Sequence, residues 1–178
     1  MGLLATGCAL SGLGSGQPAR GQSQSPATQG GQPTGGTATG PALQAQPSRT
    51  KKLQIEGTKN ATVTVGLVSF RVQGKLAKLT LLFTPKMPKA PQDKEISIYD
   101  MFNSHGPYVT LVDPVHLKRY VVVRDSEKGK LQSDTVWTGT VNGQPVAAYY
   151  TFAAPPPKSK LNLHLNGRLV FSDIPVSR

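Results

Sequence analysis

Short segments in which apolar and polar residues alternate recur from residue 62 to residue 176, with turn residues between them about every ten residues. Residues 161–165 alternate strictly, and the Asn166-Gly167 pair that follows is a strong hairpin-turn signal. Asn142-Gly143 is a second such signal. Asp113-Pro114 begins another turn, because proline presets φ and aspartate can bond the following backbone. No stretch combines a helical period with a capping residue.

The turn spacing therefore predicts an all-β domain. It favours an antiparallel, immunoglobulin-like β-sandwich of seven to eight strands, and an up-and-down barrel is the alternative. In a sandwich the strands are committed to the core, so recognition is expected in the loops. The predicted strands are residues 62–72, 78–84, 96–99, 108–112, 119–124, 146–152, 161–165 and 169–171, and residues 174–176 close the domain.

The first fifty residues differ in composition from the rest of the chain. Residues 11–48 hold one charge (Arg20), no aromatic residue and only Leu13 and Leu43 as large aliphatic residues. Such a segment cannot bury enough apolar surface to offset the entropy lost on ordering. The sequence predicts a residual signal or lipidation segment (1–10), a disordered Gly/Ser/Gln/Pro-rich linker (11–50) and the β-domain (51–178).

Cys8 is the only cysteine, so it cannot form a disulfide within the chain. Its setting, LLATGCA at residues 3–9, is similar to the lipidation site of bacterial lipoproteins, in which the signal is cut before a cysteine that then carries lipid. A signal peptide needs an apolar stretch of about 7–15 residues. Residues 1–6 are too few, and the true start is expected upstream. A cleaved conventional signal and a cytoplasmic protein with an ordinary thiol are the alternatives.

Three segments resemble an uncharacterised immunoglobulin-like domain of actinobacterial exported and lipid-anchored proteins. They are VTLVDPVHLKRYVVVRD (109–125), AYYTFAAPP (148–156) and FSDIPV (171–176), and the similarity covers roughly residues 60–178. In that family a motif with two closely spaced cysteines follows the hairpin, whereas GKLQSD occupies residues 129–134 here. A disulfide or metal role of those cysteines does not carry over. The family has no assigned reaction, so the resemblance implies fold and location only.

The chain is strongly basic, with 20 Lys and Arg, nine Asp and Glu and a formal net charge of +11. This balance favours contact with polyanions such as wall phosphate polymers, anionic lipid headgroups or nucleic acid. The basic residues are dispersed, and few aromatic residues lie among them as base stacking would require. A solvated surface is the simpler interpretation, and nucleic-acid binding is unlikely on this pattern.

The residues that could carry chemistry do not form a recognisable reaction centre. His105, His116 and His164 are not at metal-ligand spacing. Ser104, His105 and Asp113 have the residue types of a catalytic triad, but such types occur in any chain of this size. Asp125, Glu127 and Asp134 could bind calcium, although Lys128 and Lys130 lie among them. We therefore expect no enzyme activity, no catalytic residue, no metal and no cofactor.

Two features suggest where binding would occur. Residues 85–95 form a proline-stiffened connection that carries Lys86, Lys89 and Lys94 as a possible binding loop. Trp137, the only tryptophan, is expected to pack in the core, with an exposed contact for a sugar or partner as the alternative.

These observations predict a non-enzymatic, lipid-anchored β-sandwich module for adhesion, scaffolding or protein-partner binding. Cys8 would attach it to the outer face of the bacterial cytoplasmic membrane, in the cell envelope. The alternative function is a basic domain that binds polyanions. That alternative requires the dispersed lysines and arginines to meet on one surface after folding.

Overall fold

The computed structural model describes residues 46–177, and these residues contain ten strands and one short helix. The predicted all-β class is confirmed, and every strand pair is antiparallel. Within the described residues, no helix is long and apolar enough to cross a membrane. The elements are β1 Arg49–Gln54, β2 Thr62–Gln73, β3 Leu76–Lys86, β4 Ile96–Ser97, α1 Ile98–Met101, β5 Val109–Asp113, β6 Lys118–Val121, β7 Gly139–Thr140, β8 Val146–Ala153, β9 Lys160–Leu165 and β10 Arg168–Pro175.

A long hairpin forms the centre of the first sheet. β2 and β3 pair along their whole lengths, and the turn between them places Gly74 at a φ of +60°, which glycine adopts without steric cost. β1 pairs with the first half of β2, and β8 pairs with most of β3. The strand order is β1-β2-β3-β8.

The second sheet has the order β10-β9-β5-β6. Both hairpins predicted here are present: Asn166-Gly167 joins β9 to β10, and residues 114–117 join β5 to β6. The two segments predicted at 169–171 and 174–176 are one strand, β10, which is interrupted by two register shifts against β9. A separate ribbon of β4 and β7 completes the strands.

The two sheets share one hydrophobic core. Alternate residues of the central strands point into it, as the period-two pattern predicts. The largest fully buried side chains come from both sheets: Phe83, Tyr150 and Phe152 from the first, Leu111, Leu163 and Ile174 from the second.

Both open sides of the sheet pair are bridged. On one side the chain after β6 bonds to β8: Val123 N donates to Thr151 O at 2.9 Å, and Thr151 N donates to Leu131 O at 2.9 Å. On the other side, Lys51 Nζ of β1 donates to Leu169 O of β10 at 2.8 Å. The backbone bonds of residues 123 and 131 cover the edge of β8, which would otherwise template intermolecular pairing.

Two elements differ from the sequence prediction. β1 begins at Arg49, so the domain starts before the predicted boundary at residue 51. Its alternation is masked because it is an exposed edge strand of mainly polar residues. The strand predicted at 96–99 ends at Ser97, whose side chain accepts from Asp100 N at 3.1 Å and caps α1.

The strand order also differs from that of an immunoglobulin domain. In immunoglobulin domains the third strand along the chain crosses to the second sheet. Here β3 remains beside β2 in the first sheet as its hairpin partner. The short Gly74-Lys75 turn allows no crossing, because it reverses the chain directly.

Candidate functional site

One end of the domain collects turns from both sheets, and we call it the basic end (residues 71–75, 113–119, 154–160 and 175–177). Val72 N of β2 donates to Ser177 O, just after β10, at 2.9 Å, so the two sheets meet there. Asp173 on β10, two residues before Pro175, is an exposed carboxylate near this end. Six cations of the basic end are exposed: Arg71, Lys75, Lys118, Arg119, Lys158 and Lys160.

The β5–β6 hairpin at this end is held by the buried side chain of Asp113. Its Oδ1 accepts from Val115 N and His116 N, each at 3.0 Å, and its Oδ2 lies 2.8 Å from His116 Nδ1. The hydrogen bonds from the backbone and the imidazole of His116 lower the pKa of Asp113 to about 2. Ser159 lowers this pKa further, although its buried hydroxyl has no hydrogen bond of normal geometry within the described residues. The carboxylate is therefore committed to the turn.

The same hairpin presents two aliphatic side chains to solvent. Val115 is 76% exposed and Leu117 is 89% exposed. Leu117 has a φ of +53°, in the left-handed region where glycine or asparagine is the usual residue. The sequence prediction recognised this turn but not its apolar tip. The signal is the presence of valine and leucine inside a turn, where polar residues are typical.

The opposite end carries the exposed aromatic residues Tyr99, Tyr108 and Trp137, and we call it the aromatic end (residues 55–61, 87–108, 134–145 and 166–167). Its connections are tied together by backbone bonds. Gly143 N donates to Pro85 O at 2.8 Å, Tyr99 N donates to Thr135 O at 2.8 Å, and Asn166 N donates to Tyr108 O at 3.0 Å.

Trp137 lies at the aromatic end and is 85% exposed, so the expected core packing is wrong. Asp134 Oδ1 accepts from Val136 N at 2.8 Å and from Trp137 N at 3.1 Å. This tight turn directs the indole outward. The segment just before the turn bonds to the edge of β8. The sequence could not show this, because the flanking residues give no alternation.

A cavity of about 330 Å³ opens at the aromatic end. Its base is apolar, with Leu53, Val63 and Phe102, and its rim is polar. Arg168 on the rim forms an ion pair with Glu56 at 3.0 Å. The volume is within the range of small-ligand sites, but both charged rim groups already have a partner.

The predicted binding loop also lies at the aromatic end. Lys86, Lys89 and Lys94 are all exposed, as the prediction requires. They share their segment with the exposed carboxylates of Asp93 and Glu95, so three cations face two anions there. This segment is less positive than the basic end.

The candidate catalytic residues do not meet. Ser104 and His105 are at the aromatic end, and His105 Nδ1 lies 2.6 Å from Asn103 O. Asp113 is at the basic end and contacts His116 instead. His105 and Asp113 therefore each contact a structural partner nearby.

The candidate calcium ligands serve separate turns. Asp125 Oδ1 accepts from Glu127 N at 3.0 Å and from Gly129 N at 2.7 Å, whereas Asp134 holds the Trp137 turn. In the part of the chain that the structure describes, no group of three or more histidine, cysteine or acidic residues could hold a metal ion.

The predicted lipidation residue, Cys8, and the predicted signal segment lie outside the described residues. So does the predicted linker up to residue 45. Residues 46–50, its predicted end, belong to the domain: Ser48 N donates to Leu67 O at 2.8 Å, and Pro47 lies against Gly66.

No protein-family model, curated protein or solved structure matches this chain.

Proposed function

We propose that this protein is a non-enzymatic β-domain module of the cell envelope that binds an anionic surface or polymer through its basic end. The single observation that carries the proposal is the distribution of charge at that end. Six exposed cations lie on turns and strand ends of both sheets, and the hairpin carboxylate of Asp113 is buried. Of the two functions predicted from sequence, the folded arrangement favours polyanion binding.

The proposal of a binding module rather than an enzyme rests on the structural roles of the residues whose pKa values are strongly shifted. Among residues 46–177, the two groups with strongly shifted pKa values are Asp113 and Tyr150. Asp113 holds a turn, and Tyr150 is fully buried in the core. In an active site such groups would instead face a cleft.

Location is the second part of the proposal. Lipid on Cys8 would tether the domain to the outer face of the cytoplasmic membrane, where anionic lipids and wall polymers are both within reach. Two-sheet architecture supports this setting, because many cell-surface domains are sandwiches with different strand orders. Cys8→Ser in a gene with its upstream region should move the protein from the membrane to the soluble fraction and lower its mass. An unchanged mass and fraction would reject the tether.

The binding part is tested with the full chain and inorganic polyphosphate at increasing salt. We expect Lys118→Gln, Lys158→Gln and Lys160→Gln together to reduce the slope of log affinity against log salt by about two to three, since each lost phosphate contact releases about one counterion fewer. The matched control is the triple replacement of Lys86, Lys89 and Lys94 by Gln, at the other end. An equal effect of both triples, or no binding at low salt, would contradict the proposal.

A second candidate function is protein-partner binding through the aromatic end, and the 85% exposure of Trp137 favours it. Tryptophan is enriched at the centres of protein interfaces. A photo-crosslinking residue at position 137 should form a discrete adduct in producing cells. The same residue at Tyr149, which is 40% exposed on the first sheet, is the control. Equal labelling at both positions would argue against a specific partner.

A further inference from the structure

The β5–β6 hairpin combines features that a purely ionic polyanion site does not need. Val115 and Leu117, which are 76% and 89% exposed, are aliphatic and adjacent to the tip. Most other valines and leucines of the two sheets lie in the core or pack against it, and the exposed ones, Leu76, Val121 and Leu169, are only 42–45% exposed. A phosphate polymer offers these two side chains no apolar partner, so they require another explanation.

The tip is also built to keep its shape. The Asp113 carboxylate bonds two backbone amides and the His116 imidazole, which holds the turn from within. Leu117 occupies a left-handed conformation that disfavours a leucine. A strained residue that replaces the usual glycine or asparagine indicates that its side chain has a use.

Cations surround the tip. Lys118 and Arg119 follow Leu117 directly. Lys158 in the β8–β9 connection and Lys160 at the start of β9 flank Ser159, which lies beside Asp113. All four are exposed. Long basic side chains can place their charge at the level of lipid phosphates while neighbouring apolar groups lie deeper.

An anionic bilayer surface has charged phosphates outside and an apolar region beneath them. Exposed lysine and arginine side chains suit the phosphates, and the aliphatic side chains at the tip suit the deeper region. We propose that the basic end docks on an anionic lipid bilayer and that Val115 and Leu117 enter the headgroup region. This inference rests on the proposed anion-binding function and names its partner. Nucleic acid fits less well, because the exposed tryptophan that could stack on bases is at the opposite end.

The test uses the full chain carrying Cys8→Ser, so that no lipid on the protein contributes. Vesicles contain phosphatidylcholine with about one third phosphatidylglycerol, or phosphatidylcholine alone, because surface charge attracts basic residues only in the first case. Inorganic polyphosphate is the lipid-free anion. The tip variant is Val115→Thr with Leu117→Asn. Its matched control is Val136→Thr with Leu169→Asn, at positions that are 53% and 45% exposed outside the hairpin.

We expect the tip variant to bind anionic vesicles about tenfold more weakly, because apolar area no longer leaves water. Its polyphosphate binding should be unchanged, and the control variant should match the parent chain on both ligands. Asparagine also suits the backbone of position 117, so the tip variant should fold at least as well as its parent.

The outcomes separate the two proposals. If the parent chain binds neither vesicles nor polyphosphate, the proposed function itself fails. If it binds polyphosphate but not anionic vesicles, or if the tip variant binds vesicles like the parent, the basic end binds a polymer and the bilayer inference is wrong.

Orientation gives an independent readout. Vesicles with brominated lipid should leave the fluorescence of Trp137 unquenched, because it lies at the far end of the domain. Moving the only tryptophan to the tip, with Leu117→Trp and Trp137→Phe, should produce strong quenching. The reverse pattern would place the aromatic end against the bilayer and overturn the inference.

Discussion

Asp113 shows how one side chain can determine both the shape and the charge of a surface. Because its carboxylate is buried and bonded within the hairpin, it stiffens the tip and removes the only acidic group of residues 113–119 from the surface. The cations that follow it in sequence are therefore not neutralised locally. A carboxylate lowers the net surface charge of a basic segment only if the carboxylate itself is exposed.

The first residue-scale prediction concerns the pH dependence of stability. The folded-state pKa of Asp113, about 2, is below the ordinary value of 3.8, so this group stabilises the fold above about pH 4 and loses that contribution as pH falls toward 2. Asp113→Asn should lower the denaturation midpoint at neutral pH, and the difference from the parent should shrink toward pH 2. If the difference in denaturation midpoint stays constant across this pH range, the ionised carboxylate of Asp113 does not stabilise the fold.

Tyr150 gives the second prediction. It is fully buried, burial raises its pKa, and its hydroxyl has no hydrogen-bond partner among the described residues. An unsatisfied buried hydroxyl is costly, so Tyr150→Phe should raise the free energy of unfolding by about 1 kcal/mol. Tyr149→Phe, on the outward face of the same strand, is the control and should change little. A loss of stability in Tyr150→Phe would reveal a partner for the hydroxyl.

At the scale of elements, two turns held by aspartate present apolar side chains to solvent. Asp113 holds the β5–β6 tip, and Asp134 holds the turn that exposes Val136 and Trp137. The two turns lie at opposite ends of the domain. Each is preorganised, so binding there would cost little conformational entropy.

The strain at Leu117 is open to direct measurement. Leu117→Asn should raise the free energy of unfolding by about 1 kcal/mol, because asparagine tolerates the left-handed conformation better. Leu169→Asn, at an exposed leucine that has no positive φ, should bring no gain. Equal effects of the two replacements in a urea titration would mean that backbone strain is absent at position 117.

The exposure of Trp137 predicts a spectroscopic result. As the only tryptophan of the chain, it should emit at long wavelength in the folded protein. Acrylamide should quench it nearly as well in the folded protein as in urea. A blue-shifted, protected emission would restore the core packing that the sequence suggested.

The elements that the sequence predicts well are those with one buried face. β2, β3, β8 and β9 alternate clearly, and their positions agree with the predicted strands to within a few residues. β1 was missed because an edge strand of charged and polar residues shows no alternation. The turn of helix α1 was missed because Ser97 caps it inside a segment that reads as a strand.

The candidate site could be predicted only in part, because its residues come from distant segments that only the complete fold brings together. Lys75, Lys118 and Lys158 are far apart in sequence, and the dispersed cations look like an ordinary solvated surface. The pairing of β5 with β9 and of β2 with β3 brings their turns to one end. Polyanion binding requires these cations to converge on one surface. Which cations converge depends on the order of the strands in the sheets, and the alternation of apolar and polar residues does not encode that order.

Hydrogen–deuterium exchange on anionic vesicles identifies the surface of the domain that contacts lipid. The full chain with Cys8→Ser is compared with and without vesicles, at low salt and at high salt. We expect slower exchange at residues 113–119 and 154–160 when vesicles are present, and loss of this protection at high salt. Protection confined to residues 86–95 or 134–138, or none at any salt concentration, would contradict it.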